Sequence, residues 1–496
     1  MRARLGAAAA SGVLVAVAFP GPGLWPLAFV ALTPLLIAAE GQSVRRGAAL
    51  GAVTGMVGFA LTLRWLAPLS AWGWLALAAY LALYPALFGA VATRLLRGGL
   101  WPRAAVPAAW VVLEWARGWV LGGFGWGALG HALAPAPILL QLAALGGVAL
   151  LSAALAGTAT ALAAAWPAVR GRAWRRAAGP LAVAAAIPLA LTAHGAVVLG
   201  GADGGEVLRI AVVQADLSAR DRWDAGVVAT ALDRYATITD RAIADAPELV
   251  LWPETAIPAP LDEGAGLAIR SRALRQRVEE VWRVPLIFGV AEPAPGAPGR
   301  FLNAAVLYGP GGVRAPSYHK RRLVPFGEYT PLPGLLGGLE RPLPGPEFVF
   351  GAGGPPFAVG PARVGVLICF EDVFADEALA RAADADLLVI LTNDGWFGDA
   401  GARQHLAIAQ LRAVETGRSI ARAANTGTSA LIDRRGRIRA RAAPGPGHAT
   451  AALARARHAT PFARAPDLVP LALLALVLLA LADALGLGAR TRAARA

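Results

Sequence analysis

Three short stretches in the second half of the chain end apolar runs with groups able to do chemistry: Leu251-Trp-Pro-Glu254, Tyr318-His-Lys320 and Leu367-Ile-Cys369-Phe-Glu371. They carry a carboxylate, an ammonium and a thiol. A Cys nucleophile needs a base to take its proton, and a cation or donors to hold the developing oxyanion. Glu254, Lys320 and Cys369 supply those parts. Lys320 is the one lysine among 46 basic residues, and Cys369 is the one cysteine. Arginine serves at every other basic position. An ammonium is a compact point charge, whereas guanidinium is a broad planar fork. A position that keeps lysine therefore suggests a charge close to a reacting atom. Taken singly, each motif has a plainer reading: a capping carboxylate, a wet basic surface at Lys320-Arg-Arg, an inert buried thiol.

These groups need a scaffold, and the residues around them supply one. Short β-rich runs at 207–214, 249–252, 285–290, 304–308, 363–369, 387–392 and 429–433 alternate with helical patterns at 225–246, 265–283, 374–384 and 402–417. That alternation predicts a layered α/β domain over 206–457. Strand ends in such domains are where sites form. Pro/Gly-rich stretches at 293–299, 331–361 and 444–447 read as loops. The 331–348 stretch is loop-like yet apolar, with Leu332, Leu335, Leu336 and Leu339. It is expected to dip into lipid or lid the site, or else to pack on the domain.

The rest of the chain has a different character. Overall 56% of residues are hydrophobic and 16% charged, and nearly all acids fall within 206–457. Spanning a bilayer takes about 20 apolar residues in a helix. Candidate spans are 5–19, 24–39, 47–63, 72–93, 104–121, 138–166, 179–199 and 468–487. The first pair admits a helical hairpin or a re-entrant segment, and 1–18 also fits a signal peptide. Arginine clusters at Arg2/Arg4, Arg45/Arg46, Arg94/Arg97/Arg103, Arg170/Arg172/Arg175/Arg176 and Arg490/Arg492/Arg495 fall on one side of successive spans. The other side's short loops hold Arg64 and Arg117. The positive-inside rule makes both termini cytoplasmic and places the α/β domain outside the cytoplasm. A lone cysteine there has no disulfide partner in its own chain.

Two membrane features depart from apolar filler. Glu114 and Arg117 share a helix face, either as a structural tie or as a functional pair. Residues 122–137, with Phe124, Trp126 and His131, read as an interfacial loop. The net charge of +14 comes largely from arginines between apolar runs, and no aromatic-basic stripe points to nucleic acid. His319, His405 and His448 lack metal-ligand spacing, and no phosphate-binding glycine loop is present. No metal or cofactor is expected.

In combination, the Glu254, Lys320 and Cys369 motifs resemble the nitrilase (carbon–nitrogen hydrolase) superfamily. The resemblance extends to Asn393-Asp-Gly-Trp-Phe, Arg412-Ala-Val-Glu415 and Asn425-Thr-Gly-Thr-Ser. With Glu114-Trp-Ala-Arg117-Gly-Trp and Gly123-Phe-Gly-Trp ahead of it, the whole chain is similar to the apolipoprotein N-acyltransferase family. The resemblance implies a polytopic α-helical membrane domain of about eight spans plus an α/β nitrilase-like αββα sandwich. Residues 1–200 would hold seven spans, 206–457 the catalytic domain, and 468–487 the closing helix.

It further implies a bacterial inner-membrane enzyme, working as a monomer. The implied donor is a phospholipid, and the acceptor is the N-terminal amine of a diacylglyceryl-cysteine lipoprotein. Ping-pong transfer would run through a Cys369 thioester, with Glu254 as base and Lys320 at the oxyanion. Glu328 and Glu371 are expected to orient Lys320 and Cys369. Trp223, Phe370 and Trp396 are expected to bind substrate, Phe370 standing where many relatives have Tyr. Two other readings stay open: a membrane-anchored amidase using water, and a transporter or receptor with an inert ligand-binding domain.

Overall fold

The computed structural model describes residues 1–201, 204–217, 225–257, 265–336 and 345–485. The chain divides into two compact units: Met1–Gly201 with Thr460–Ala496, and Ala202–Ala459.

The first unit is helical. Helices Ala71–Leu95, Ala143–Arg170 and Trp174–Gly200 are long and apolar enough to cross a membrane, while Trp25–Ala39 and Leu468–Ala484 are shorter apolar segments. Lipid offers no hydrophobic gain for helix association, so close packing through small residues takes its place. Helix Val44–Thr62 shows this against Ala71–Leu95. A Cβ added at Gly51 would lie 1.9 Å from the Pro85 carbonyl oxygen, and one at Gly47 2.4 Å from that of Gly89.

Glu114 and Arg117 attract one another, and each has a further partner. The Leu129 N–H donates to Glu114 Oε1 at 2.7 Å, and the Arg117 guanidinium lies 5.0 Å from the Phe59 ring centroid. The segment read as an interfacial loop is partly buried, with Gly122 and Pro135 exposed. Trp126 and His131 are buried, Trp126 packs against Trp65 at 5.2 Å, and the Gly130 N–H donates to Ser152 Oγ. Gly and Pro broke the helical pattern here, but the short 3-10 turn Leu129–Leu133 still buries its side chains.

The second unit contains twelve strands among its described residues: β1 (Val207–Gln214), β2 (Leu249–Leu251), β3 (Leu286–Pro293), β4 (Phe301–Tyr308), β5 (Tyr318–His319), β6 (Phe357–Val359), β7 (Ala362–Ile368), β8 (Leu387–Thr392), β9 (Ile420–Ala424), β10 (Ala430–Ile432), β11 (Ile438–Arg441) and β12 (Gly447–Ala454). They form two six-stranded sheets, ordered β12-β1-β2-β3-β4-β5 and β11-β10-β9-β8-β7-β6. Each sheet has a parallel centre, β1-β2-β3 or β7-β8-β9, with antiparallel flanks.

Side-chain alternation explains the layering. Ile210, Val212, Leu251 and Ile287 face Val364, Val366, Ile368 and Val389 in the core between the sheets. Their neighbours Ala211, Val213, Val250 and Phe288 pack on the other face against Leu232, Tyr235 and Val278 of the helices flanking that sheet. On the far side, Leu367, Leu388 and Ile390 pack against Ala378, Leu406, Ala409 and Ala413 from helices Ala375–Ala382 and Gly398–Thr416. Strands covered on both faces read as continuous apolar runs, and β8 is buried at every position. The result is a four-layer αββα sandwich.

The parallel strands end at the same place as the chemistry. β2 runs into Glu254, β7 into Cys369, and β8 ends at Thr392. Gly289 of β3 lets the Glu254 segment approach. Its N–H donates to the Pro253 carbonyl at 3.0 Å, and a Cβ there would meet Thr255 N at 2.3 Å and Glu254 Cα at 2.7 Å. Gly289→Ala is expected to displace Glu254 without dismantling the sheets. Far-UV circular dichroism should stay native, while the midpoint of Cys369 alkylation by iodoacetamide should move to lower pH, because Glu254 raises the thiol's pKa. An unchanged midpoint would mean that the Glu254 segment tolerates the shift.

Candidate active site

Glu254, Lys320 and Cys369 line one pocket, together with Thr255, Asn303, Val324, Glu328, Phe348, Trp396 and Phe397. The pocket's cavity is small, about 60 Å³. Among the described residues, no group of His, Cys, Asp or Glu is arranged to hold a metal ion.

Lys320 follows the two-residue strand β5, and its backbone N–H donates to the Asn303 carbonyl at 2.8 Å. Its side chain is 1% exposed. The ammonium donates to Glu254 Oε1 at 2.9 Å and to Glu328 Oε1 at 3.0 Å. Asn303 Nδ2 joins the same two carboxylates, donating to Glu254 Oε1 at 2.8 Å and Glu328 Oε1 at 2.9 Å. Glu328 Oε2 accepts from the Val324 N–H. Burial opposes the lysine's charge, but Glu254 and Glu328 push its pKa above the ordinary value. Lys320 is therefore a fixed cation, suited to holding negative charge and not to exchanging protons. Glu254 Oε1 receives both the lysine and the asparagine.

Cys369 sits where β7 turns into the 3-10 segment Cys369–Val373, with φ of 49°. A side chain in the left-handed region is strained, and such strain persists only where the surroundings impose it. Here Glu371 imposes it. Fully buried, its carboxylate accepts from the Ile368 N–H at 2.7 Å and the Arg321 N–H at 2.6 Å. The Tyr318 hydroxyl donates to both its oxygens at 3.1 Å. One carboxylate thus ties the cysteine turn to the lysine segment. Burial pushes the Cys369 thiol well above its usual pKa; Glu254 adds to this, and Lys320 and Thr392 pull the other way. The resting sulfur carries its proton.

The remaining expected residues divide. Trp396 is half-buried and lines the pocket. Phe370 is absent from that lining; its ring meets Phe374 edge-on at 5.1 Å. Trp223 lies outside the described residues, as does 337–344 of the apolar loop. The described ends of that loop differ: Leu332 is 68% exposed, while Gly345, Pro346 and Phe348 line the pocket.

Other quoted motifs prove to be buried ties. Arg412 pairs with Glu415 within one helix. Asn425 Nδ2 donates to the Leu217 carbonyl, and its Oδ1 accepts from the Leu217 N–H and the Tyr235 hydroxyl. Sequence reasoning missed Asn303, although a lone amide inside the apolar run Phe301–Tyr308 was a usable signal.

Burial pushes the Glu371 carboxyl up to about 7, although the Ile368 and Arg321 amides pull it down. Between its ordinary value of 4.5 and that raised value, the folded protein holds a proton that the unfolded chain has released. This contribution to stability is fully present below the ordinary value and is lost as pH rises through the raised one. Glu371→Gln should remove that slope. The melting temperature of the parent relative to the variant should fall between about pH 5 and about pH 8, as read in thermal scans. A constant difference over that range would assign the slope elsewhere.

Comparison with known proteins follows the same division of the chain. Residues 11–161 match the family described as the apolipoprotein N-acyltransferase N-terminal domain, and residues 209–460 match the carbon-nitrogen hydrolase family. A protein of Geobacter metallireducens named apolipoprotein N-acyltransferase is 34% identical over 451 residues, covering 86% of this chain and 85% of its own. One of the same name from Chromobacterium violaceum is 34% identical over 497 residues, covering 96% and 93%. Among solved structures, an amidase from Nesterenkonia sp. is similar at 22% identity with a TM-score of 0.38, covering 51% of this chain and 93% of its own. With both families matched in order and identity above 30% along most of its length, the chain belongs to the apolipoprotein N-acyltransferase family.

Proposed function

We propose that the protein transfers a fatty acyl chain from a phospholipid to the N-terminal amine of diacylglyceryl-cysteine lipoproteins, through a thioester on Cys369. The observation that carries the reading is the shared pocket: a fixed ammonium, a carboxylate and the chain's one thiol. The names of full-length relatives support transfer to an amine over hydrolysis.

In the proposed sequence, Glu254 accepts the thiol proton as sulfur attacks the ester carbonyl. The S–C bond forms, and Lys320 stabilises the oxyanion. The C–O bond to the glycerol backbone then breaks, and the leaving oxygen takes the proton from Glu254. Lysophospholipid departs. The neutral lipoprotein amine attacks the thioester, its proton passes to Glu254, the C–N bond forms and the C–S bond breaks. Glu254 returns the proton to sulfur. A thioester suits this exchange because it yields readily to an amine. Glu328 helps hold Lys320, Glu371 holds the cysteine turn, and Trp396 walls the pocket.

Both substrates are lipids, which gives a reason for a membrane base with three long apolar helices. We extend that base to about eight spans, with both termini cytoplasmic and the α/β unit on the outer side of a bacterial inner membrane. The arginine distribution supports this topology. A single chain carries all the residues the reaction needs.

Mass spectrometry of the intact protein incubated with phospholipid tests the reading directly: one fatty acyl mass should appear, and Cys369→Ala should abolish it. An acylated alanine variant would move the nucleophile elsewhere. Lys320→Arg should slow thioester formation by on the order of a hundredfold, because the planar fork cannot occupy the site of the ammonium. A near-parental rate would remove the case for an ammonium at that position.

A further inference from the structure

Thr392 is the last residue of β8, and β8 runs parallel to β7 with Leu391 opposite Ile368. One residue further along each strand, Thr392 stands beside Cys369. It is fully buried. Its hydroxyl donates to Asp394 Oδ1 at 3.1 Å, and the same hydroxyl pulls the Cys369 thiol's pKa down. A hydroxyl has one proton to give, so these two acceptors compete for it.

The competition depends on how well Asp394 is served without Thr392. Arg422 Nη2 donates to Asp394 Oδ1 at 2.9 Å and Oδ2 at 2.7 Å, and Arg422 Nη1 is held by the Thr428 carbonyl. His405 Nδ1 lies 2.9 Å from Asp394 Oδ1, and its Nε2 lies 2.7 Å from Asp372 Oδ1. An imidazole that serves two carboxylates must donate from both nitrogens, so it is protonated. Burial opposes that charge, but Asp372 and Asp394 raise His405 to about 9. Two anions then meet two cations, all wholly out of water. A buried charge needs such pairing.

We propose that the Thr392 hydroxyl is a catalytic hydrogen-bond donor to the Cys369 thiolate, kept available because the buried Asp372–His405–Asp394–Arg422 quartet satisfies Asp394. The proposal rests on Cys369 being the nucleophile. While sulfur is protonated, the hydroxyl points at Asp394. When Glu254 takes the thiol proton, the hydroxyl turns to the sulfur and stays intact; no proton changes owner at Thr392. The same donor supports sulfur when it leaves the thioester. The charged groups facing Cys369 are Glu254, Lys320 and Asp394; those facing His405 are Asp372, Asp394 and Arg422. His405 acts through Asp394 and is a positioning residue.

The test uses the full-length protein in detergent and the pH dependence of Cys369 alkylation by iodoacetamide, clean because the chain has one thiol. Thr392→Val should move the alkylation midpoint to higher pH and slow acyl-enzyme formation by about tenfold or more, while Thr392→Ser stays near the parent. His405→Gln should move the midpoint the same way, and the double variant no further than Thr392→Val alone. A parental midpoint in Thr392→Val overturns the proposal, as does a fall in melting temperature with no change in midpoint. If His405→Gln fails to fold, the Val and Ser pair still decides. Alkylation needs no lipid, so a shifted midpoint in a protein that never forms an acyl-enzyme would sink the acyltransferase reading and leave this one standing.

Discussion

Lys320 carries a positive charge into a place that water scarcely reaches. Removing an ammonium from water costs several kcal/mol unless partners replace the lost solvation. Glu254 and Glu328 replace it, and Asn303 bonds both carboxylates. Glu254, Asn303 and Lys320 arrive from separate parts of the chain, and their bonds tie the ends of β2 and β5 to the start of β4. The same grouping leaves one negative charge in excess beside Cys369. That excess, together with burial, keeps the sulfur protonated until something in the pocket draws the proton away.

The second constraint is backbone. Cys369 and Thr255 both take positive φ, 49° and 43°, each just past the end of a parallel strand. Neither residue adopts that conformation cheaply. The turns are held by hydrogen bonds to main-chain groups: Glu371 grips Ile368 and Arg321, and Pro253 accepts from Gly289. Support of this kind fixes positions to fractions of an ångström, because a buried carboxylate that loses its donors is expensive. Pre-organisation is therefore built into the turns themselves.

Behind the sulfur lies another set of buried charges. Asp372 belongs to the cysteine turn and Asp394 to the turn carrying Trp396. His405, from helix Gly398–Thr416, bonds both. One helix thereby locks two turns that flank the pocket, and Phe397 packs edge-on against the same imidazole at 5.8 Å. Low dielectric strengthens each of these bonds, although Asp372 Oδ2 and Arg422 Nε are buried without a partner among the described residues. The motif Asn393-Asp-Gly-Trp-Phe serves both purposes: its acid anchors while its aromatics line the cavity.

Much of this was readable from residues alone. The apolar runs of β1, β2, β7 and β8 announced strands because strands covered on two faces must be apolar throughout. Five strands escaped notice, β5, β6, β9, β11 and β12; of these, β9 and β12 are rich in alanine, which favours helix when isolated. β12 becomes a strand by pairing along its whole length with β1. Phe370 was legible as an aromatic beside the thiol, but only packing turned it toward Phe374. The amino-acid order by itself determined which chemical groups exist here, one ammonium and one thiol at the ends of apolar runs, and that a membrane-like half precedes them. Tertiary structure alone decided that Asn303 and Thr392 stand among them. Hydrogen-bond partners are chosen by distance in space, and Asn303 lies 49 residues from Glu254 along the chain.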